Sequence, residues 1–265
     1  MKCCSLLAIA LFSAQGIIAQ KLKPIEKENI WQFFEDIYRR PRWEISALIG
    51  VNAKARLTHS QDAKYKLFTA PQRCYEFGVQ RVTNLQPNLG FSLGLKFGLV
   101  GRNSAFIVPS NEIGYDFGDY PFNGPIARQL DISYFSVPAQ LEYRIFRSKY
   151  GMYLLQGGLS LRYAPLNGTA NGDMDIMEVR LEGNKKPFIN LNAGFGYGLV
   201  LKNQNILKFS LNINYDPAYI AKGKFFLQTA SSYDEGTYTV KGNHIGLLVT
   251  YSMLGAKSKI NRNSR

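Results

Sequence analysis

The chain has 265 residues, 46% of them apolar, with 32 Lys+Arg against 19 Asp+Glu and a formal net charge of +13. That much apolar content excludes an intrinsically disordered chain, and only three cysteines exclude a fold held by a disulfide framework. The basic balance calls for anionic partners, and for an exported chain these are lipid phosphates and anionic glycolipid rather than nucleic acid.

The chain opens MKCCSLLAIALFSAQGIIAQ, with Lys2 ahead of an apolar stretch from Leu6 to Phe12 and small residues leading to Ala19. This pattern predicts a secretory signal peptide over residues 1–19. Cys3 and Cys4 precede the apolar stretch and would leave with it. The remaining 246 residues (265 less 19) keep Cys74 alone and, without Lys2, carry 31 Lys+Arg against 19 acids, a net charge of +12.

Residues 20–42 come next, and within them Ile30, Phe33, Phe34, Ile37 and Tyr38 recur at helical spacing before Pro41 stops the pattern. An amphipathic periplasmic segment of this kind either lies on the inner leaflet or docks on a partner, or packs against the mouth of the domain that follows.

No later apolar run reaches the roughly 18 residues that a spanning helix needs, but a spanning strand needs only ~9 to 11 residues of alternating polarity. Eight segments alternate in this way: 43–56, 74–84, 88–100, 132–146, 152–163, 188–202, 206–215 and 244–254. In LGFSLGLKFGL, residues 89–99, Leu and Phe take every odd position while Gly, Ser and Lys96 lie between them. FINLNAGFGYGLVLK and ILKFSLNINY repeat the pattern, and period two makes each of them a strand. The segment 74–84 is the least regular, because Arg81 falls on its apolar parity and has to snorkel to an interface. AFIVPSNEIGY, residues 105–115, is interrupted by Pro109 and reads as loop structure continuing the third strand.

The connections alternate between tight turns (LQP, RSKYG, NQN) and long polar stretches at about 57–73, 101–131, 164–187 and 216–243. Short turns on one side and long loops on the other are the signature of a transmembrane barrel. The polar parity is mostly Gly, Ser and Asn, which suits a narrow closed lumen better than the water-facing side of a soluble sandwich. The fold predicted is all-β: an eight-stranded antiparallel up-and-down transmembrane β-barrel over 43–254, with short periplasmic turns, long outer loops and a basic periplasmic tail over 255–265. Trp43, Tyr75, Tyr134, Tyr143, Tyr153, Tyr163, Tyr197, Tyr215 and Tyr251 are candidates for its interfacial aromatic girdles.

Lys96, Glu142, Arg144, Arg162 and Lys208 fall on the inward parity with Gln140, Asn190, Asn192, Asn212 and Asn214. An eight-stranded lumen holding these is a plug, crossed by a buried ion-pair network in which Lys96 is a candidate partner of Glu142. No catalytic, metal or cofactor set emerges. The two histidines are His59, next to Ser60 in a loop, and His244, which shares parity with Thr250 and Ser252; a lipid-modifying enzyme needs a serine within reach of one of them. Asp173, Asp175 and Glu178 lack the spacing of a calcium loop, and GFGYG at 194–198 has no Lys-Ser/Thr or helix after it.

Over roughly residues 43–254, and most specifically in ISYFSVPAQLEYRIF with Pro138 inside the strand, the chain resembles the small PorT-like outer-membrane β-barrels of Bacteroidota. The resemblance implies an outer-membrane location and a part in type IX protein secretion, with no catalytic residues to transfer. The chain departs from such barrels in ending its last strand YSML and continuing GAKSKINRNSR, where an aromatic terminus is usual. The expected role is therefore a non-enzymatic, monomeric barrel acting as scaffold or accessory factor, in contact with outer-membrane lipid and lipopolysaccharide and with secretion or envelope proteins. An adhesion barrel using its outer loops and a lipid-modifying barrel enzyme are the alternatives.

Overall fold

The computed structural model describes residues 27–38, 40–59, 64–107, 125–165, 168–171, 177–229 and 232–254. The signal peptide over 1–19, the tail over 255–265, and Ser60, Pro109, Asp173 and Asp175 lie outside the described residues. Among the described residues one helix, α1 (Lys27–Tyr38), precedes fourteen strands. In chain order these are β1 (Arg42–Asn52), β2 (Arg56–His59), β3 (Leu67–Ala70), β4 (Arg73–Gln86), β5 (Leu89–Ile107), β6 (Pro125–Ser148), β7 (Gly151–Tyr163), β8 (Gly168–Asn171), β9 (Met177–Gly183), β10 (Phe188–Val200), β11 (Ile206–Tyr215), β12 (Ala221–Gln228), β13 (Tyr233–Val240) and β14 (His244–Leu254).

Eight strands close a barrel in the order β5-β4-β1-β14-β11-β10-β7-β6, and β6 returns to β5. Every pairing is antiparallel. Closure leaves no edge, so the wall satisfies its backbone groups internally, as hydrocarbon demands. The parity of the strands decides what faces where. In β1 the burial alternates residue by residue along its whole length, from buried Arg42 to buried Asn52. In β5 Leu93 and Leu95 are 51% and 68% exposed while Ser92 and Lys96 are buried. The same holds round the wall, where Phe77, Phe135, Leu211 and Ile213 all point outward and exposed. A wall that shows Leu, Ile and Phe outward and buries Ser, Asn, Glu and Arg is turned inside out relative to a soluble protein, and it is stable only where lipid is the solvent.

Three expectations need correction. The segment 43–56 is not one strand: β1 ends at Asn52, and Arg56–His59 turns away to pair with β13. The long connections are not irregular loops. They supply β2, β8, β9, β12 and β13, a second sheet in the order β2-β13-β12-β9-β8, while β3 pairs with the extension of β5 beyond the barrel. The stretch 101–131 likewise holds strand at both ends, since β5 runs on to Ile107 and β6 begins at Pro125. The cause is apolar alternation within segments that also carry many polar residues: Val179, Leu181, Phe225, Leu227, Tyr238 and Val240 form one face of the second sheet. That face packs with Leu67, Cys74, Val100 and Ile132 into a single apolar core that roofs the long-loop end of the barrel.

The third correction concerns Tyr134, which is not in a girdle. It shares parity with Gln140, Glu142 and Arg144 and is fully buried in the lumen. Arg81, by contrast, stays on the outer wall opposite Trp43 and Leu93, close to the short-turn end.

Candidate functional site

Among the described residues the buried polar and charged side chains gather inside the barrel, so the candidate site is the lumen and its two closures. The short-turn end is closed by α1. Phe34, Ile37 and Tyr38 are buried against Met152, Leu154, Val200 and Ile206, four apolar side chains on the inward parity at the foot of the barrel. The Phe34 ring stacks on Phe146 with centroids 3.9 Å apart and planes 9° from parallel, and Trp31 meets the same ring edge-on at 5.7 Å. The Tyr38 hydroxyl donates to Met152 Sδ at 3.2 Å. Burial pushes that hydroxyl above its ordinary ionisation range.

Arg42 fastens this end. Its guanidinium donates to the Ile37 carbonyl at 3.2 Å, one of the carbonyls left open at the end of α1, to the Gln204 carbonyl at 2.5 Å and to Ser252 Oγ at 3.0 Å. One side chain thus ties the helix, β14 and the 201–205 turn. Gln204 has φ 63°, a left-handed conformation that costs a non-glycine residue roughly 1–2 kcal/mol.

Above the helix lies the first ionic cluster. The Lys208 ammonium donates to Glu44 Oε1 at 2.6 Å and to both oxygens of Glu142 at 2.8 and 2.6 Å. Glu142 also accepts from Arg144 Nε at 2.8 Å and Gln156 Nε2 at 2.9 Å. Arg144 lies over the Tyr38 ring with 3.8 Å from its central carbon to the ring centroid, so the helix completes the cluster by cation–π contact.

A neutral layer follows, in which Gln140 donates to Asn192 at 2.8 Å, Asn192 to Ser160 at 3.2 Å and Asn212 to Ser210 at 3.1 Å. The second ionic cluster is nearer the roof. Arg162 donates to Glu76 at 2.9 Å, to Asp216 at 3.1 and 3.0 Å and to Asn214 at 3.2 Å, while Asn190 donates to Asp216 at 2.7 Å. Tyr134 donates its hydroxyl to Glu76 and lies under the Arg162 guanidinium. Gly98 faces this phenol so closely that a Cβ there would sit 2.2 Å from the ring.

All five lumen residues picked out by parity, Lys96, Glu142, Arg144, Arg162 and Lys208, are buried, but they fall into two clusters rather than one. Lys96 does not meet Glu142. Its ammonium is 3.8 Å from Glu76, in the other cluster. Sequence reasoning missed Arg42, Glu44, Glu76 and Asp216, each of which lies on the inward parity of its strand or one step past its end. Beside the lower cluster the space lined by Glu44, Gln80, Ser92, Gln140 and Glu142 is about 10 Å³, no more than a single water occupies.

Among the described residues neither histidine hydrogen-bonds a serine. His244 Nδ1 is 2.7 Å from the Gly242 carbonyl and its Nε2 3.5 Å from Glu76, while Ser252 receives Arg42. His59 Nε2 accepts from the Leu67 amide at 2.9 Å. Among the described residues no group of three His, Cys, Asp or Glu could hold a metal.

No protein-family model matches the chain, and a search of curated proteins returns no relative. Solved structures give likenesses, among them these three. The outer membrane protein OprG of Pseudomonas aeruginosa is 10% identical, with 82% of this chain and 97% of that chain covered and a TM-score of 0.46. The transport unit of the Escherichia coli autotransporter AIDA-I is 12% identical over 89% and 93% of the two chains, with a TM-score of 0.28. The β domain of the Bordetella autotransporter BrkA is 10% identical over 80% and 98%, with a TM-score of 0.25. These are weak likenesses, and the reading of the barrel rests on its own wall and lumen.

Proposed function

We propose that this chain is a monomeric outer-membrane barrel that works as a closed, non-enzymatic scaffold or accessory factor, in protein secretion of the type IX kind that the PorT-like resemblance implies. The observation that carries the reading is the filled lumen: among the described residues a helix below, two ion-pair clusters inside and an apolar roof above occupy it from end to end. A barrel filled in this way acts through its surfaces, and its contacts are then outer-membrane lipid, lipopolysaccharide and secretion or envelope proteins.

A second reading, adhesion, is favoured by the outer face of the roof sheet. Arg56, Arg180, Lys222 and Lys224 project there beside Thr237 and Thr239, around a groove of about 470 Å³ on β9, β12 and β13. Envelope fractionation with heated and unheated SDS gels tests the location and fold: the protein should enter the outer-membrane fraction and change mobility on boiling. The purified barrel in planar bilayers should give no conductance steps. For the role, removal of residues 21–40 should lower export of secreted proteins while Lys222→Ala with Lys224→Ala leaves it unchanged. The opposite pattern, normal export with lost surface binding, would decide for adhesion.

A further inference from the structure

On the outer face of the roof sheet, register sets Arg180 of β9 directly opposite Lys224 of β12. Like charges directly across a ladder destabilise it. Lys222, two residues along β12 on the same face, adds a third cation. With ~4.8 Å between strands and ~3.4 Å of rise per residue, the three Cα atoms lie within roughly 8 Å of one another. The nearby acids do not neutralise them. Arg180 donates to Glu178, with Nη2 2.9 Å from Oε2. Lys222 stands in register with Glu182, but its ammonium lies over the Tyr219 ring, 5.3 Å from the centroid, and makes no ion pair among the described residues. Lys224 likewise has no carboxylate partner among the described residues.

Aromatic surface lies beside the cations. Phe226 is the next outward residue of β12, and the Arg180 guanidinium is 5.9 Å from its ring centroid. The ring of Tyr233, a residue 59% exposed, lies 6.1 Å from that of Phe226. The groove of about 470 Å³ is lined by the three cations, Phe226, Glu182, Thr237 and Thr239, and its volume falls within the roughly 300–1,000 Å³ of small-molecule sites.

We propose that this groove binds an acidic glycan, a chain of sugars that carry carboxylates. A carboxylate lies between Lys224 and Arg180 and relieves their repulsion, Thr237, Thr239 and Glu182 bond the ring hydroxyls, and the apolar C–H face of a sugar ring rests on Phe226. Each other occupant lacks a feature. A doubly charged phosphate meets the Glu182 carboxylate in the lining. An acyl chain finds no Leu, Ile or Val at the outward positions of β9, β12 and β13. An extended peptide adds to a sheet edge through its main chain, whereas β9, β12 and β13 are the three inner strands of the five. The inference rests on the adhesion reading, in which the roof is the working surface, and names the ligand of that surface.

The test uses the purified full chain in phosphatidylcholine nanodiscs and calorimetric titration with tetrasaccharides of galacturonate, glucuronate and mannuronate. At least one should bind saturably at one site. Its carboxyl-reduced form should bind about tenfold more weakly or worse, as should tetraglutamate, which carries its carboxylates on a peptide. Lys222→Ala with Lys224→Ala should weaken binding about tenfold, the order expected of two exposed ion pairs, and Phe226→Ser about fivefold, both with unchanged heat-modifiable mobility. Lys224→Gln should lose affinity yet unfold at the same urea concentration as the wild type or a higher one, because it removes a like-charge pair. Failure of all three tetrasaccharides to bind, equal binding of the carboxyl-reduced form or of tetraglutamate, full affinity in the double lysine variant, or a destabilised Lys224→Gln would each overturn the proposal. Surface binding by cells that persists when all three tetrasaccharides fail would overturn this ligand and leave adhesion standing. Saturable glycan binding that the double lysine variant loses while keeping normal surface binding would support the site and remove adhesion.

Discussion

Replacing Lys208 by Met removes the centre of the lower ionic cluster and tests whether the lumen is held by ion pairs or merely filled by them. In the wild type one ammonium serves two carboxylates. After the change Glu142 still has Arg144 at 2.8 Å and Gln156 at 2.9 Å, but Glu44 has lost its one ionic partner among the described residues. Breaking a buried pair by removing one member costs ~3–5 kcal/mol, because the other charge stays behind without compensation. The loss should fall on Glu44, so the double variant Glu44→Gln with Lys208→Met should recover about 2 kcal/mol or more of it; an amide buried with incomplete hydrogen bonding still costs ~1–3 kcal/mol. Equilibrium urea unfolding of the barrel in phospholipid vesicles measures both differences. A deficit under about 1 kcal/mol for Lys208→Met, on the scale set for surface pairs, would refute a desolvated network. A double variant no better than the single one would refute the assignment of the loss to Glu44.

Three other outcomes follow from the closures. Phe34→Ala removes a fully buried ring from the stack on Phe146 and should weaken docking of α1 by ~3–5 kcal/mol, read as faster proteolysis within residues 27–38 while the barrel itself keeps its heat-modifiable mobility. Gly98→Ala places a methyl group against the Tyr134 ring and should destabilise the barrel by ~1–3 kcal/mol, measured by urea unfolding; Gly157→Ala, which meets nothing within 4 Å, is its control. The raised Tyr38 hydroxyl has a sign that can be checked: the undocked phenol ionises near its ordinary 10.0 and the docked one higher. Docking is therefore undisturbed below about pH 10 and weakens as pH rises above it. Trp31 fluorescence should report this step, and Tyr38→Phe should abolish it.

The barrel was legible in the sequence because period two is imposed by geometry: each of the eight spanning segments shows two chemically distinct faces, and each face has one possible destination. The buried carboxylates were legible by the same rule. Glu44 alternates with Arg42 and Ser46, and Glu76 with Cys74 and Gly78. They pass unnoticed when attention goes to the strands with the cleanest apolar parity, and Arg81 on the wrong face makes the strand of Glu76 look doubtful. Which charges would pair was not legible, because two inward residues on different strands meet only after shear and register are set; Lys96 and Glu142 share the lumen but not a level. The roof was hidden for a different reason. MEVRLEG and YDEGTYTV are too short and too polar to stand out as strands, and they become strands by pairing side by side over an apolar core supplied partly by the barrel. One signal at the foot could have been used: Met152, Leu154, Val200 and Ile206 are apolar on the inward parity and lie together at one end of their strands, and such a cluster calls for an apolar partner such as Phe34.

That foot also decides between two meanings of α1. If the helix were the gate of a channel, deleting residues 27–38 should open the pore. The structure argues otherwise, because the Lys208–Glu142–Glu44 cluster bridges β11, β6 and β1 directly above the helix, and the Arg162–Glu76–Asp216 cluster ties β7 and β4 to the end of β11 further up. Removing α1 takes from these clusters only the ring of Tyr38 beneath Arg144 and the Ile37 carbonyl that Arg42 holds. The deletion variant should therefore remain non-conducting in planar bilayers while exposing a ring of apolar side chains at its short-turn end, detectable as stronger binding of a hydrophobic dye. Conductance steps that appear on deleting α1 would make the barrel a gated channel and remove the ground for reading it as a scaffold.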